Sequence, residues 1–326
     1  MVTTSSTWPL LALLGVAGCT APDSQAPSAA RPPGPVAAPL PAAPRQPTRF
    51  DSLASARQVQ QLLRTVPALA GIQLADSLPW PCADRLSCGR PGRVAGWSRA
   101  DLDGNGRTDL LVTGSFPGSG RATRVLLDSG QRRLHPGWLG GYGDDCTVAQ
   151  LVPMRGQAGI RYVHLRYPAP FSSPGPPRSV CVVDTLVFHE GQLVEYNPAP
   201  HDYRIERVEY SAGACFGTCP IYTLALTAAG AATYRAEEFV PRKGTFTATV
   251  PAPARQQLWH LLNYLDFPRL QDSYTLPITD MSTGTLTITY AGGRVKTITD
   301  YGQQGTLGLG RAYELLEVLR TSQRWK

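Results

Sequence analysis

Lysine is nearly missing from this chain of 326 residues: only Lys243, Lys296 and Lys326 occur, so arginine carries almost all of the basic side of a formal net charge of +7. The arginines are scattered rather than clustered, and no nucleic-acid-binding motif accompanies them. Nucleic acid is therefore not an expected partner. Histidine is sparse as well: His135, His164, His189, His201 and His260 are all there are. None falls in a His-Glu-x-x-His pattern, and there is no Gly-x-Ser-x-Gly nucleophile elbow. Gly305-Thr306-Leu307-Gly308-Leu309-Gly310 could cradle an anion at a helix start, but it lacks the Lys-Ser/Thr of a P-loop and is not Gly-x-Gly-x-x-Gly. It reads first as a flexible helix lead-in. His189-Glu190 reads as a solvated turn, and His260 as the rim of an apolar helix face. Asp144-Asp145 and the aspartates from Asp272 to Asp280 supply spare carboxylates whose spacing pairs none of them as acid and base. These absences leave no catalytic residue to name. No apolar run is long enough to span a bilayer as a helix.

What is present starts with Asp101-Leu102-Asp103-Gly104-Asn105-Gly106-Arg107-Thr108-Asp109. Side-chain oxygens stand at the first, third, fifth and ninth positions of a glycine-bent loop, and Arg107 at the seventh can lend its backbone carbonyl. That alternation suits a hard cation, calcium above all. Without one, the clustered carboxylates would repel one another. The alternative is a polar turn whose Asp and Asn side chains bond their own backbone. The twelfth position, where an EF-hand needs a bidentate Glu, is Val112, and Leu110-Leu111-Val112-Thr113 reads as a strand rather than a second helix. The loop resembles those of FG-GAP-type β-repeat modules, here in a single copy. Asp101, Asp103, Asn105, Arg107 and Asp109 are the candidate ligands.

The N-terminus holds the short apolar core Leu10 to Val16, followed by Val16-Ala17-Gly18-Cys19. This resembles a bacterial lipobox, although no Lys or Arg precedes the core as signal peptides usually require. The resemblance implies cleavage after residue 18 and a lipid on Cys19. Residues 19–48 are rich in Pro and Ala and too poor in large apolar side chains to bury a core. At ~3.1 Å per residue they could reach on the order of 80 Å as a tether. The expected address is the cell envelope, outside the cytoplasm, at the outer membrane.

Setting Cys19 aside leaves Cys82, Cys88, Cys146, Cys181, Cys215 and Cys219. An even remainder outside the cytoplasm points to disulfides, and six cysteines allow 15 pairings. Keeping pairs local favours Cys82–Cys88, Cys146–Cys181 and Cys215–Cys219. The last pair could instead be redox-active or metal-bound. However, its spacing is one longer than Cys-x-x-Cys, and a strand-like run follows it where a helix N-terminus would be wanted.

Along the chain, Val59, Leu62, Leu63 and Val66 recur at helical spacing, which predicts a helix over 53–66 ended by Pro67. A train of hairpins then runs to residue 196, with turns at Asp128-Ser129-Gly130-Gln131, Gly156-Gln157-Ala158-Gly159 and His189-Glu190-Gly191-Gln192. Asn197-Pro198-Ala199-Pro200 marks the expected domain boundary. Beyond it come strands, the helix face Leu258, Leu261, Leu262 and Leu265, a hairpin around Ala291-Gly292-Gly293-Arg294, and a C-terminal helix on Leu309, Ala312, Leu316 and Leu319. The expected fold class is α+β: a mostly antiparallel β domain over 49–200, then a smaller α+β domain over 201–326.

Cys215-Phe216-Gly217-Thr218-Cys219-Pro220, the helix ending Leu265-Asp266-Phe267, Thr287 to Tyr290, and Asp300-Tyr301 resemble a C-terminal domain of unknown function found in lipoproteins and secreted proteins of Bacteroidetes type. The resemblance covers about residues 203–326 and implies a surface or periplasmic setting with no assigned activity. The expectation is therefore a lipid-anchored envelope protein with a binding or structural role, a calcium-stabilised N-terminal domain, and an envelope protein or glycan as partner. The alternative is an envelope enzyme, thiol-redox through Cys215/Cys219 or a hydrolase of unidentified residues.

Overall fold

The computed structural model describes residues 44–79, 92–116, 120–130, 134–139, 147–154, 156–166 and 180–326. Helix α1 (Ala56–Arg64) starts where Ser55 Oγ accepts the Gln58 N–H, while Gln58 Oε1 accepts the Ala54 N–H at 2.7 Å. This Ser-x-x-Gln exchange satisfies amides that have no partner inside the helix. Val59 and Leu63 are its buried face. Strands β1 (Gln73–Leu74), β2 (Ser77–Pro79), β3 (Arg93–Ala95), β4 (Trp97–Ala100), β5 (Asp109–Phe116), β6 (Gly120–Asp128) and β7 (Leu134–Leu139) follow. β5 is central to a five-stranded antiparallel sheet in the order β1-β5-β6-β7, with β4 also on β5. Leu110 and Val112 face α1, together with Phe50, Val59, Leu63 and Ile72. Leu111, between them, faces the other way, into a cluster with Val125, Ile160 and Leu186. The unbroken apolar run at the head of β5 therefore reflects burial on both faces.

β8 (Val148–Met154), β9 (Gln157–Arg166), β10 (Val180–His189) and β11 (Gln192–Glu195) form a second antiparallel sheet in the order β11-β10-β9-β8. The turn before β9 is tighter than the four-residue loop expected: Gly156 takes φ +84°, and Gln157–Gly159 already pair with Val152–Met154. The short strands β1 and β2 carry too little pattern to be read from the sequence.

β12 (Ile205–Ala212), β13 (Ile221–Thr227), β14 (Ala231–Glu238), β15 (Gly244–Thr249), β16 (Ser273–Thr275), β17 (Thr283–Tyr290) and β18 (Arg294–Tyr301) build a seven-stranded sheet in the order β15-β14-β13-β12-β17-β18-β16. All neighbours are antiparallel except β16 on β18. Burial alternates strictly along β13 and β17. Helices α2 (Ala252–Tyr264) and α3 (Leu307–Ser322) cover the buried face, closing a core around Val208, Leu224, Leu258, Leu286 and Leu316. The open face is largely threonine, a residue that suits an exposed pleat. The described chain is thus mostly β with antiparallel sheets.

The stretch around residue 197, read as a boundary, is itself anchored. Asn197 Nδ2 donates to the Tyr264 carbonyl at 2.7 Å, and Val187 and Val194 join the core beneath α2 and α3. Residues Pro41–Lys326 form one compact unit. No helix among the described residues is long and apolar enough to cross a membrane.

Candidate functional site

The acidic loop lies between β4 and β5, where Ala100 pairs with Asp109 and fixes the two ends. Carboxylate oxygens of Asp101, Asp103 and Asp109 lie within 4.8 Å of one another. Asp101 accepts the Gly104 and Gly106 amides, both at 2.8 Å, so the loop curls over it. Both glycines have positive φ, which explains why glycine stands there. Asp109 is fully buried and accepts the Leu102 amide at 2.8 Å and the Asp128 amide at 2.9 Å. Burial, with the charges of Asp103 and Asp101 behind it, pushes its carboxyl up to about 7. Burial also raises Asp103, with Asp101 adding to it. Asn105 donates from Nδ2 to Asp103 and to the Asp128 carbonyl, and its Oδ1 accepts the Arg107 amide at 2.7 Å. Ligation through Oδ1 would require that carboxamide to turn over. The Arg107 guanidinium pairs with Asp128 at 3.0 Å, which leaves its carbonyl as the group it could offer a cation.

Three converging carboxylates, two of them with raised affinity for a proton, form an oxygen-only donor set that fits a hard dication. The same oxygens also hold the loop together through backbone amides, so both expected readings of the loop have a physical basis here.

Cys215 and Cys219 are disulfide-bonded, with Cα atoms 5.7 Å apart. The bridge closes a small loop between β12 and β13. Phe216 projects from it at 87% exposure, and the Phe216 amide bonds the Asp280 carbonyl. Pro220 leads into a strand, so no helix N-terminus stabilises a thiolate at either cysteine. Cys181 is also disulfide-bonded. Cys19, Cys82, Cys88 and Cys146 lie outside the described residues.

The glycine-rich lead-in to α3 does receive a carboxyl group, and it is a side chain of this chain, whose deep burial raises its proton affinity while the α3 amides lower it. Glu195 at the end of β11 accepts the Leu307 amide at 2.7 Å and the Gly308 amide at 3.0 Å, while Thr306 Oγ1 accepts the Leu309 amide. A carboxylate on first-turn amides is the interaction a helix N-terminus favours. His189 stacks on Tyr264 with ring centroids 3.8 Å apart, and burial lowers its proton affinity. Glu190 faces the exposed His260 at 3.3 Å. Among the described residues neither pair meets a nucleophile.

The feature that sequence reasoning missed is a cleft of about 1290 Å³ between β9–β10 and the α3 side of the seven-stranded sheet. On β9, Tyr162, His164 and Arg166 alternate onto one face, and Asp184 of β10 lies opposite Tyr162. His164 meets Asp184 at 2.8 Å, while Arg166 stands 3.8 Å from the same carboxylate. The far wall carries residues 274–278, the Gln303–Leu307 segment and Arg311. The only sequence signal was the alternation along β9, which says which face is shared but not what it faces.

Two antiparallel β sheets and a helix-covered seven-stranded sheet define a β-rich protein with an open cleft and no assembled nucleophile among the described residues. Within it, a domain of unknown function (DUF6438) is found at residues 206–320, enclosing the Cys215–Cys219 bridge. No curated protein matches the chain.

Proposed function

We propose that this protein is a lipid-anchored, extracytoplasmic binding protein whose N-terminal β-rich part is stabilised by calcium. The observation that carries the calcium reading is the convergence of Asp101, Asp103 and Asp109 within 4.8 Å, one of them fully buried. In water such carboxylates would separate; here β4–β5 pairing holds them together, and a dication offsets their repulsion. Asp101, Asp103 and Asp109 would supply carboxylates, with Asn105 and the Arg107 carbonyl completing the shell. The lipid anchor rests on Val16-Ala17-Gly18-Cys19 and the Pro/Ala-rich stretch after it. The disulfides are consistent with an oxidising compartment.

The test is a thermal melt of the full chain in non-ionic detergent, with 1 mM calcium and with chelator, beside Asp103→Ala. A site binding at ~0.1 mM gives about 1.4 kcal/mol at that concentration. That raises the midpoint by roughly 2–4 °C, and the variant loses the shift. Equal midpoints in calcium and chelator would leave the loop a polar turn. Intact mass of the mature protein reads the anchor: an unmodified Cys19 contradicts it.

A further inference from the structure

We propose that the loops at one end of the seven-stranded sheet insert into a lipid bilayer interface through Phe216 and Phe239; this rests on the lipid-anchored reading above and gives the body a second membrane contact. The strand register puts both residues at that end. Ala212 pairs with Tyr222, and Ile221 pairs with Glu238. The loop from β12 to β13 and the hairpin from β14 to β15 therefore leave the sheet side by side. Among the described residues, Phe216 and Phe239 are the only exposed phenylalanines, at 87% and 51%. Single exposed apolar side chains are ordinary on a protein surface. Two aromatic rings on neighbouring loops make an apolar end, and burying it against something other than water is favourable.

Neither ring completes the core. The Cys215–Cys219 bridge closes the Phe216 loop, and the Phe216 amide donates to the Asp280 carbonyl at 3.2 Å. The ring is thus held out in water on a cross-linked support. Phe239 takes φ +53°, a left-handed backbone that glycine adopts freely and a bulky side chain adopts under strain. Its neighbour Val240 packs against the core, whereas the Phe239 ring stays half in water. Backbone strain at a residue whose side chain gains only half its burial points to a role outside the fold.

A bilayer suits this surface better than a folded partner does. A stable protein interface buries about 1,000 Å² or more in one complementary patch. Two phenylalanines offer roughly 300–500 Å² between them, on separate loops. The bilayer interface is deformable and takes phenylalanine side chains without a matched shape. Charge does not drive the contact. Lys243 pairs with Glu238 at 2.6 Å, and the Arg242 guanidinium lies 4.0 Å from the Phe246 ring centroid. Arg242 and Lys243 are offset by Glu238 and Asp280, and residues 213–220 carry no charge at all. The attachment is therefore apolar. A body already tethered through Cys19 meets the membrane at high local concentration, so two rings suffice to hold it there.

The experiment places the full chain in phosphatidylcholine vesicles, plain or brominated on the acyl chains. Phe216→Trp and Phe239→Trp are compared with the unsubstituted chain, whose own tryptophan emission is subtracted. Val295→Trp is the control: Val295 is exposed, but it pairs with Thr289 at the opposite end of the sheet. A side chain buried roughly 5–10 Å into the interface reaches the acyl boundary, so bromolipid should quench about half of the emission added at Phe216 and Phe239. Acrylamide in the water should leave that emission largely intact, and high salt should not release it. Val295→Trp should behave in the reverse way. A melt of each variant confirms folding, and the two tips give independent readings if one variant unfolds. Added emission that acrylamide quenches and bromolipid does not would overturn the proposal and leave the tips as a protein-docking surface. Equal bromolipid quenching at Val295→Trp, or loss of quenching in high salt, would also overturn it. Intact mass reads the anchor separately. Lipid on Cys19 with unquenched tips strikes this inference alone, whereas unmodified Cys19 with quenched tips strikes the anchor alone.

Discussion

Two glycines of α3, Gly308 and Gly310, lie two residues apart, and the fold assigns opposite signs to the same substitution. In an exposed helix interior, Gly→Ala gains about 1 kcal/mol by restricting the unfolded chain and covering backbone. At Gly310 nothing within 4 Å opposes the new methyl, so Gly310→Ala should be more stable by up to about 1 kcal/mol. At Gly308 the Cβ would lie 2.0 Å from Leu265 Cδ2 and 3.0 Å from both Cδ1 and Cγ. The whole Leu265 side chain must therefore move, and it is buried at the end of α2 within the main core. Overpacking of this kind costs about 1–3 kcal/mol. The upper part of that range applies because the neighbour is enclosed, and after the same propensity gain Gly308→Ala should lose about 1–2 kcal/mol. The two variants should therefore differ by roughly 2–3 kcal/mol, or about 4–12 °C in melting midpoint for a unit of this size. Urea and thermal unfolding of both, at one pH and calcium concentration, make the comparison. Shifts of the same sign would refute the placement of α3 against α2, and with it the claim that Gly310 faces open space.

Other perturbations reach separate parts of the fold. Glu195→Gln leaves one α3 amide facing an N–H instead of an oxygen, and should destabilise by about 1–3 kcal/mol in chemical denaturation. Asp51 accepts the Thr48 amide and the Thr108 hydroxyl, both at 2.7 Å, and the Thr48 amide first among these holds its carboxyl down to about 2. A depressed carboxyl contributes stability that is complete above its ordinary value of 3.8 and lost as pH falls towards about 2. Asp51→Asn should therefore flatten the acid-unfolding curve across that window while lowering stability at neutral pH. The Cys215–Cys219 loop is short, so its closure contributes only about 2 kcal/mol. Cys215→Ala with Cys219→Ala should lower the urea midpoint accordingly while the β12–β13 sheet signal in circular dichroism survives; complete unfolding would show that the bridge does more than close a loop.

Much of the local structure was legible because it depends on local periodicity. The alternation of Leu286, Ile288 and Tyr290, and the helical spacing of Leu309, Ala312, Leu316 and Leu319, each report one buried face, and both faces are buried as that pattern requires. The acidic loop was legible for the same reason: its residues are neighbours in the chain, and its glycines announce the turn. The Cys215–Cys219 pairing followed from closeness in sequence.

The sequence by itself determined which residues share a strand face, where the chain turns, and which carboxylates crowd into one loop, because sterics and side-chain period act over a few residues. Only the tertiary structure decided that Glu195 would cap α3, with its partner amide 112 residues away. It alone brought Arg166 of β9 to the same cleft as Thr275 of β16 and Gly310 of α3. Those placements depend on how sheets stack and which edges stay open, which is fixed by the burial of whole layers and by no period in the chain.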